Sequence, residues 1–287
     1  MKCLSDIKNI RSILSSHGFK FSKSLGQNFI INPDVCPAMA EACSEYADSG
    51  IIEIGPGIGV LTVELAKRFK KVVSIEIDKR LIPILKDTTS EFDNIKIINS
   101  DILKLDIKEL INFEFENFDR INVCANLPYY ITSDIIMYIL ENEEINVNSL
   151  TLMLQKEAAE RICAAPGTRD AGAISLAVRY YGTPEILFDV GRENFVPSPN
   201  VDSVVIRIDM TKSMRHFVKD KANFFKLVKA AFSQRRKNIL NSLSSQMGVS
   251  KEKLSEILKL SNIDVSLRAE QLSFEDFIKI SDNFLAQ

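Results

Sequence analysis

The chain has 287 residues, 46% of them apolar and 26% charged, a balance that fits a self-folding globular protein and excludes disordered, collagen-like and fibrous classes. A net charge of −2 gives no overall sign of a nucleic-acid or membrane partner, although the charge is unevenly spread along the chain. The length suits one full domain plus a smaller appendage.

The opening stretch MKCLSDIKNIRSILSSHG interrupts its apolar positions with Asp6, Lys8 and Arg11. It forms no signal-peptide core, and nowhere is an apolar run long enough to span a bilayer, so a cytoplasmic protein without a membrane partner is expected. Cys3, Cys36, Cys43, Cys124 and Cys163 show no CxxC pairing, and His17 and His216 stand far apart. Neither a disulfide framework nor a metal site is expected.

From residue 50 to about 155, short apolar strands alternate with helical patterns, as in a mostly parallel sheet with crossover helices. The predicted strands are Ile51 to Ile54, Val72 to Ile77, Ile95 to Asn99, Ile121 to Ala125 and Leu150 to Leu154. Leu61 to Phe69, Leu81 to Asp87 and Ile131 to Leu140 read as helices between them. After a helix at Ile174 to Tyr181, Glu185 to Val190 and Val201 to Ile208 suggest a late strand pair, which would make an antiparallel edge. Beyond Asp209 strand signals stop and the period becomes helical, notably at Lys251 to Leu260 and Phe274 to Phe284. The expected division is 1–210 for the α/β domain and 211–287 for a smaller all-helical domain.

The stretch IIEIGPGIGVLTVELAKRF joins a buried strand, a glycine turn and a helix start. Glycines let the backbone turn tightly and let a ligand lie against it, while the first helical turn offers free N–H groups. Val60 stands where a dinucleotide fingerprint would have its third glycine, which weakens the case for NAD. Glu76 ends the second strand, where a carboxylate can accept hydrogen bonds from two ribose hydroxyls, and Asp101 ends the third. Either acid alone reads as a loop acid or helix cap. Together with the glycine loop they converge on the crevice of an open α/β sheet and favour a nucleoside ligand without a pyrophosphate.

Glu53-Ile54-Gly55-Pro56-Gly57-Ile58-Gly59 followed by Glu76 resembles the class I methyltransferases that use S-adenosylmethionine (SAM). That resemblance implies a Rossmann-like sheet and SAM as cofactor, without naming a substrate.

The fourth strand ends in Asn126-Leu127-Pro128-Tyr129, at the same edge as the glycine loop. In isolation this is a proline turn with tyrosines packed on a neighbouring helix. Beside a cofactor loop it offers an amide oxygen and a neighbouring carbonyl as two acceptors for an NH₂ group, with Tyr129 as a flat face. The turn resembles the NPPY and NLPY motif of amino-group methyltransferases. With KSLGQNFIIN, EIGPGIGVLT, INSDIL, LQKEAAERI, NFVPSPNVDS and AFSQRRKNILNSL in order along the chain, it resembles the ribosomal RNA adenine dimethyltransferases, specifically those of the bacterial small subunit.

The resemblance implies dimethylation of N6 on two adjacent adenines in the 3′-terminal hairpin loop of 16S rRNA, within the small subunit, by an enzyme expected to work as a monomer. It implies cofactor contacts from Asn28, Ile30, Gly55, Gly57, Glu76, Asp101, Ile102 and Asn126. Asn126 and the Leu127 carbonyl would hold the target amine, Pro128 would stiffen the turn, and Tyr129 and Phe195 would sandwich the target base.

From Lys212 to Lys237 there are nine Lys or Arg against one acid, Asp220. Lys226, Lys229, Arg236 and Lys237 fall opposite an apolar helical face, and with Arg235, Lys20 and Lys23 they form the expected RNA-binding set. A solvated face is the alternative for this segment. For the whole chain the alternatives are a large-subunit rRNA adenine methylase of the resistance type and a non-catalytic RNA-binding or transcription-factor role. The second leaves Asn126 and Glu76 without a purpose.

Overall fold

The computed structural model describes residues 4–19, 28–43, 49–128, 131–142, 144–234 and 236–285. Of the predicted site residues, Lys20, Lys23, Tyr129 and Arg235 lie outside them. The chain divides into two compact units, Met1–Ala159 with Glu185–Thr211, and Glu160–Pro184 with Lys212–Gln287. The expected split at residue 210 therefore misses Glu160–Pro184, which joins the helical unit. Aromatic packing explains this: Tyr180 stacks on Phe224 and Tyr181 on Phe225, each with ring centroids 5.9 Å apart. Contacts across that sequence distance leave no local signal.

Helix α1 (Ile7–Ser16) is capped by Asp6, whose carboxylate accepts from the Lys8 N–H at 2.7 Å. Strand β1 (Phe29–Ile30) and helix α2 (Val35–Cys43) follow. Next come β2 (Gly50–Ile54), α3 (Val60–Ala66), β3 (Lys71–Glu76), α4 (Leu81–Thr88), β4 (Ile95–Asn99), α5 (Ile107–Glu114), β5 (Ile121–Asn126), α6 (Thr132–Glu141) and β6 (Ser149–Gln155). Helices α7 (Lys156–Cys163) and α8 (Ala173–Tyr181) precede β7 (Thr183–Val190), β8 (Phe195–Val196) and β9 (Ser203–Asp209). The chain ends in α9 (Lys221–Phe232), α10 (Ile239–Gln246), α11 (Lys251–Leu260) and α12 (Phe274–Leu285). Among the described residues no helix is long and apolar enough to cross a membrane.

The main sheet has seven strands in the order β4-β3-β2-β5-β6-β9-β7. Strands β2 to β6 pair in parallel, and β9 runs antiparallel to β6. This is the mostly parallel sheet with an antiparallel edge that the late strands predicted. Ile51, Ile52, Val72, Val73, Val123 and Cys124 are all fully buried, which is why these strands read as continuous apolar runs rather than alternations.

From β2 the chain steps outward through β3 to β4, then returns to the other side of β2 with β5 and continues to β6. The loops after β2 and β5 thus part in opposite directions, leaving a crevice at the carboxyl ends of these strands. Register makes those ends level, with Ile54 beside both Ile75 and Ala125. The glycine loop, Glu76 and Asn126 therefore emerge together.

The helical unit is a bundle around aromatic and aliphatic side chains. Phe224, Leu227, Leu243, Leu254, Ile257 and Phe277 are fully buried in it. Its helices start at side-chain caps: Asp220 accepts from the Asn223 N–H at 2.9 Å, and Asn238 from the Asn241 N–H at 3.0 Å.

Candidate active site

At the crevice, a cleft is lined by Asn28, Phe29 and Ile30, the glycine loop from Gly55 to Ile58, Val60, Leu61, Glu76, Ile77, Leu81, Asn126, Leu127, Pro128 and Phe195. Most of the predicted cofactor and target residues are thus brought together from five separate stretches of chain. Asp101 and Ile102 are not on this wall. Asp101 instead caps the short turn Ile102–Lys104, accepting from the Leu103 N–H at 3.1 Å with Lys104 at 3.7 Å. For this acid the helix-cap alternative describes the geometry.

The loop needs its glycines. Gly57 has φ +60°, and a Cβ there would stand 3.2 Å from the Phe29 ring; at Gly59, φ +90°, a Cβ would meet Leu85 at 3.0 Å. Removing both side chains lets Phe29 close one side of the cleft and lets α3 begin directly against α4. Phe29, Ile58 and Leu81 also pack with Ile10 and Leu14 of α1, so the N-terminal helix backs the cleft wall. Sequence reading missed Phe29, Ile58, Ile77 and Leu81 because apolar residues beside a turn look like any other core positions.

Glu76 is nearly buried, and its carboxylate accepts from the Gly57 N–H at 3.2 Å and the Asp78 N–H at 2.8 Å. Burial raises its pKa above the usual carboxylate range, the Asp78 charge adds to this, and the two backbone donors oppose it. Asp78 is held in turn by Arg80, whose Nε and Nη2 reach its two oxygens at 2.9 and 2.6 Å. Glu76 is therefore fixed at the rim of the glycine loop by bonds on both sides.

The turn after β5 is fixed with equal care. The Leu127 side chain is buried and its N–H donates to the Met153 carbonyl at 3.1 Å. The Pro128 carbonyl accepts from the Ile131 N–H and the Thr132 hydroxyl, both at 3.2 Å. Among the described residues, no hydrogen bond engages the Asn126 carboxamide or the Leu127 carbonyl. Among the described residues, the turn is thus held by its backbone while two of its acceptors are engaged by no donor. The cleft fits an adenosine-type cofactor: a glycine loop whose Gly55 and Gly57 carry no side chain to keep a ligand off, a carboxylate at its rim, and apolar walls from Phe29, Ile58 and Leu81.

The sequence matches the family ribosomal RNA adenine dimethylase over residues 18–285. The chain belongs to that family. Ribosomal RNA small subunit methyltransferase A of Clostridioides difficile (strain 630) is 46% identical over 282 residues, 98% of this chain and 97% of that protein. A dimethyladenosine transferase from Plasmodium falciparum has a similar structure, with TM-score 0.74 and 26% identity over 90% of this chain and 98% of that one. The 23S rRNA methyltransferase ErmE aligns with TM-score 0.69 and 24% identity, covering 90% of this chain and all of that one, a likeness of fold. This dimethylase-family chain is a methyltransferase with the class I fold.

Phe195 lines the cleft but is only 3% exposed, packed among core residues such as Met153, Val190 and Val205. In this conformation its ring is not open for stacking. On the helical unit, Lys226, Lys229, Arg236 and Lys237 are exposed, whereas Phe224, Leu227, Val228 and Ala231 on α9 are buried. The apolar face expected for this helix is the one that packs.

Glu53, the acid that opens the glycine motif, is 1% exposed, with one oxygen accepting from the Ser74 hydroxyl at 2.7 Å. Burial pushes its pKa up to about 7. The folded state thus holds this proton more tightly than the unfolded chain. Its stabilising effect is complete below the unfolded value near 4.5 and is lost as pH rises toward 7. In urea melts at pH 5 and pH 8, Glu53→Gln is expected to lose about 2 kcal/mol less than the wild type on going to the higher pH. Equal losses in the two proteins would contradict a buried, proton-holding Glu53.

Proposed function

We propose that the protein transfers methyl groups from SAM to N6 of two adjacent adenines in the 3′-terminal hairpin loop of 16S rRNA, giving each adenine two methyls. The observation that carries this reading is the pair of acceptors, Asn126 and the Leu127 carbonyl, that no donor among the described residues engages, level with the glycine loop. An adenine amine is a poor nucleophile because its lone pair is delocalised into the ring. Two acceptors drawing on its N–H bonds return electron density to the nitrogen and orient it, and the geometry costs no reorganisation at the moment of reaction. SAM, when bound, supplies an electrophilic methyl on a sulfonium. Asn28, Ile30, Gly55, Gly57 and Glu76 are the residues proposed to hold it. No strong base is required, because the attacked nitrogen becomes acidic and releases its proton to solvent.

For the second methyl the amine carries only one N–H. One of the two acceptors then suffices, and the cleft must admit a methyl in place of the other hydrogen. Tyr129 and Phe195 are proposed to hold the base between two faces, which requires Phe195 to leave its buried position. The 46% identity to a small-subunit enzyme over nearly the whole chain favours the small subunit over the large. Incubation with tritiated SAM and undermethylated ribosomal subunits tests the choice. Label in the small-subunit RNA is expected; label confined to the large subunit would reverse it.

The exposed lysines and arginines of α9 and the turn after it are proposed to contact phosphates. Reversing Lys226, Lys229 and Arg236 to Glu is expected to weaken substrate binding and to flatten its log–log salt slope by about 2 to 3. An unchanged slope would leave this face a merely solvated one.

A further inference from the structure

Strands β1 and β8 have two residues each, and they tie the cofactor side of the cleft to Phe195. Phe29 pairs with Val196 and Ile30 with Phe195 in an antiparallel ladder, continued by the Ile31 N–H on the Asn194 carbonyl at 2.8 Å. A ribbon this short is marginal by itself. At its end the Asn32 Nδ2 donates to the Asn194 Oδ1 at 2.8 Å, across 162 residues of sequence. Both carboxamides are oriented by local backbone: Asn32 Oδ1 accepts from the Asp34 N–H, and Asn194 Nδ2 donates to the Gly191 carbonyl, each at 2.8 Å. A donor is thereby aimed at an acceptor. The loop carrying Asn194 has bonds of its own, from the Arg192 N–H to Asp202 at 3.0 Å and from the Ser198 hydroxyl to the Arg192 carbonyl at 2.9 Å.

We propose that Asn32 and Asn194 are positioning residues that couple the cofactor wall, Asn28 to Ile30, to the placement of Phe195, so that filling either side strengthens binding on the other. This rests on the reading of that wall as cofactor-binding and of Phe195 as a platform for the target base. The physical ground is shared backbone. Phe195 is buried, so presenting its ring to a base means moving β8, and β8 is bonded to β1. One ribbon then carries both events, and the amide pair keeps it intact while it moves.

The test measures the affinity of the full-length protein for S-adenosylhomocysteine, alone and with saturating undermethylated small subunits. In the wild type, the subunits are expected to tighten binding by a factor within the usual range of about 5 to 150. In Asn194→Ala and in Asn32→Asp that factor is expected to fall below about 2, with the affinity of the free protein within about threefold of wild type. Asn32→Asp is isosteric and keeps the bond from Asp34, so it sets oxygen against oxygen at the link without disturbing the local turn. A wild-type coupling factor in both variants, or no coupling in the wild type, overturns the proposal. Phe195→Ala separates this failure from failure of the underlying reading. If that variant methylates like the wild type, the platform role is wrong and the coupling falls with it. If it is inactive while the Asn variants keep full coupling, the coupling alone is wrong.

Discussion

Replacing Asn126 by alanine is expected to lower the rate of methyl transfer about a thousandfold while leaving cofactor affinity within a few-fold of wild type. The truncation removes one of the two acceptors proposed to bind the target amine, and such interactions act on the reacting atom rather than on the bound cofactor. Folding should be little affected, because no described hydrogen bond depends on that carboxamide. Leu127 and Pro128 anchor the turn independently, through the Met153 carbonyl and through Ile131 and Thr132. Single-turnover rates with calorimetry of S-adenosylhomocysteine binding separate the two effects. A variant with full activity would remove the amine clamp from the mechanism, and one that had lost cofactor binding would place Asn126 in the cofactor site instead.

Replacing Glu76 by alanine is expected to have the opposite profile, weakening S-adenosylhomocysteine about a hundredfold, close to 3 kcal/mol. A carboxylate accepting from two ribose hydroxyls makes charge-assisted bonds that water replaces poorly in a closed cleft. The same change leaves the N–H groups of Gly57 and Asp78 without their present acceptor, so a loss of folding stability of about 1 to 3 kcal/mol accompanies it. Calorimetry and urea melts read the two quantities separately. Because burial raises the pKa of Glu76, the affinity contributed by its ionised form is expected to decline as pH falls through that raised value. Cofactor affinity unchanged in Glu76→Ala would contradict the assignment.

Much of this site was legible in the sequence because its residues stand at ends of strands. Buried parallel strands are continuous apolar runs, so their ends are marked, and the glycine loop, Glu76 and Asn126 each follow such a run directly. Asp101 stands in an equivalent position but turns its carboxylate to its own backbone, and strand position alone cannot distinguish the two outcomes. Strands β1 and β8 were not legible, since two residues carry no alternation, and with them went the burial of Phe195. Helix α5 left a readable mark that was missed: Asp106 accepts from the Glu109 N–H at 2.9 Å, a cap with its Glu three residues on. The affiliation of Glu160–Pro184 with the helical unit depends on aromatic contacts between segments some forty residues apart, which no local pattern encodes.

If the turn after β5 presents adenine N6 of small-subunit rRNA for two successive methylations, the modified bases themselves must carry the record. Mass spectrometry of rRNA from undermethylated small subunits, incubated with SAM and either wild-type protein or Asn126→Ala, tests it most directly. Two adjacent N6,N6-dimethyladenosines in the 3′-terminal hairpin loop are expected with the wild type and none with the variant. Methylation at another base or another position, or equal modification by the variant, would contradict it.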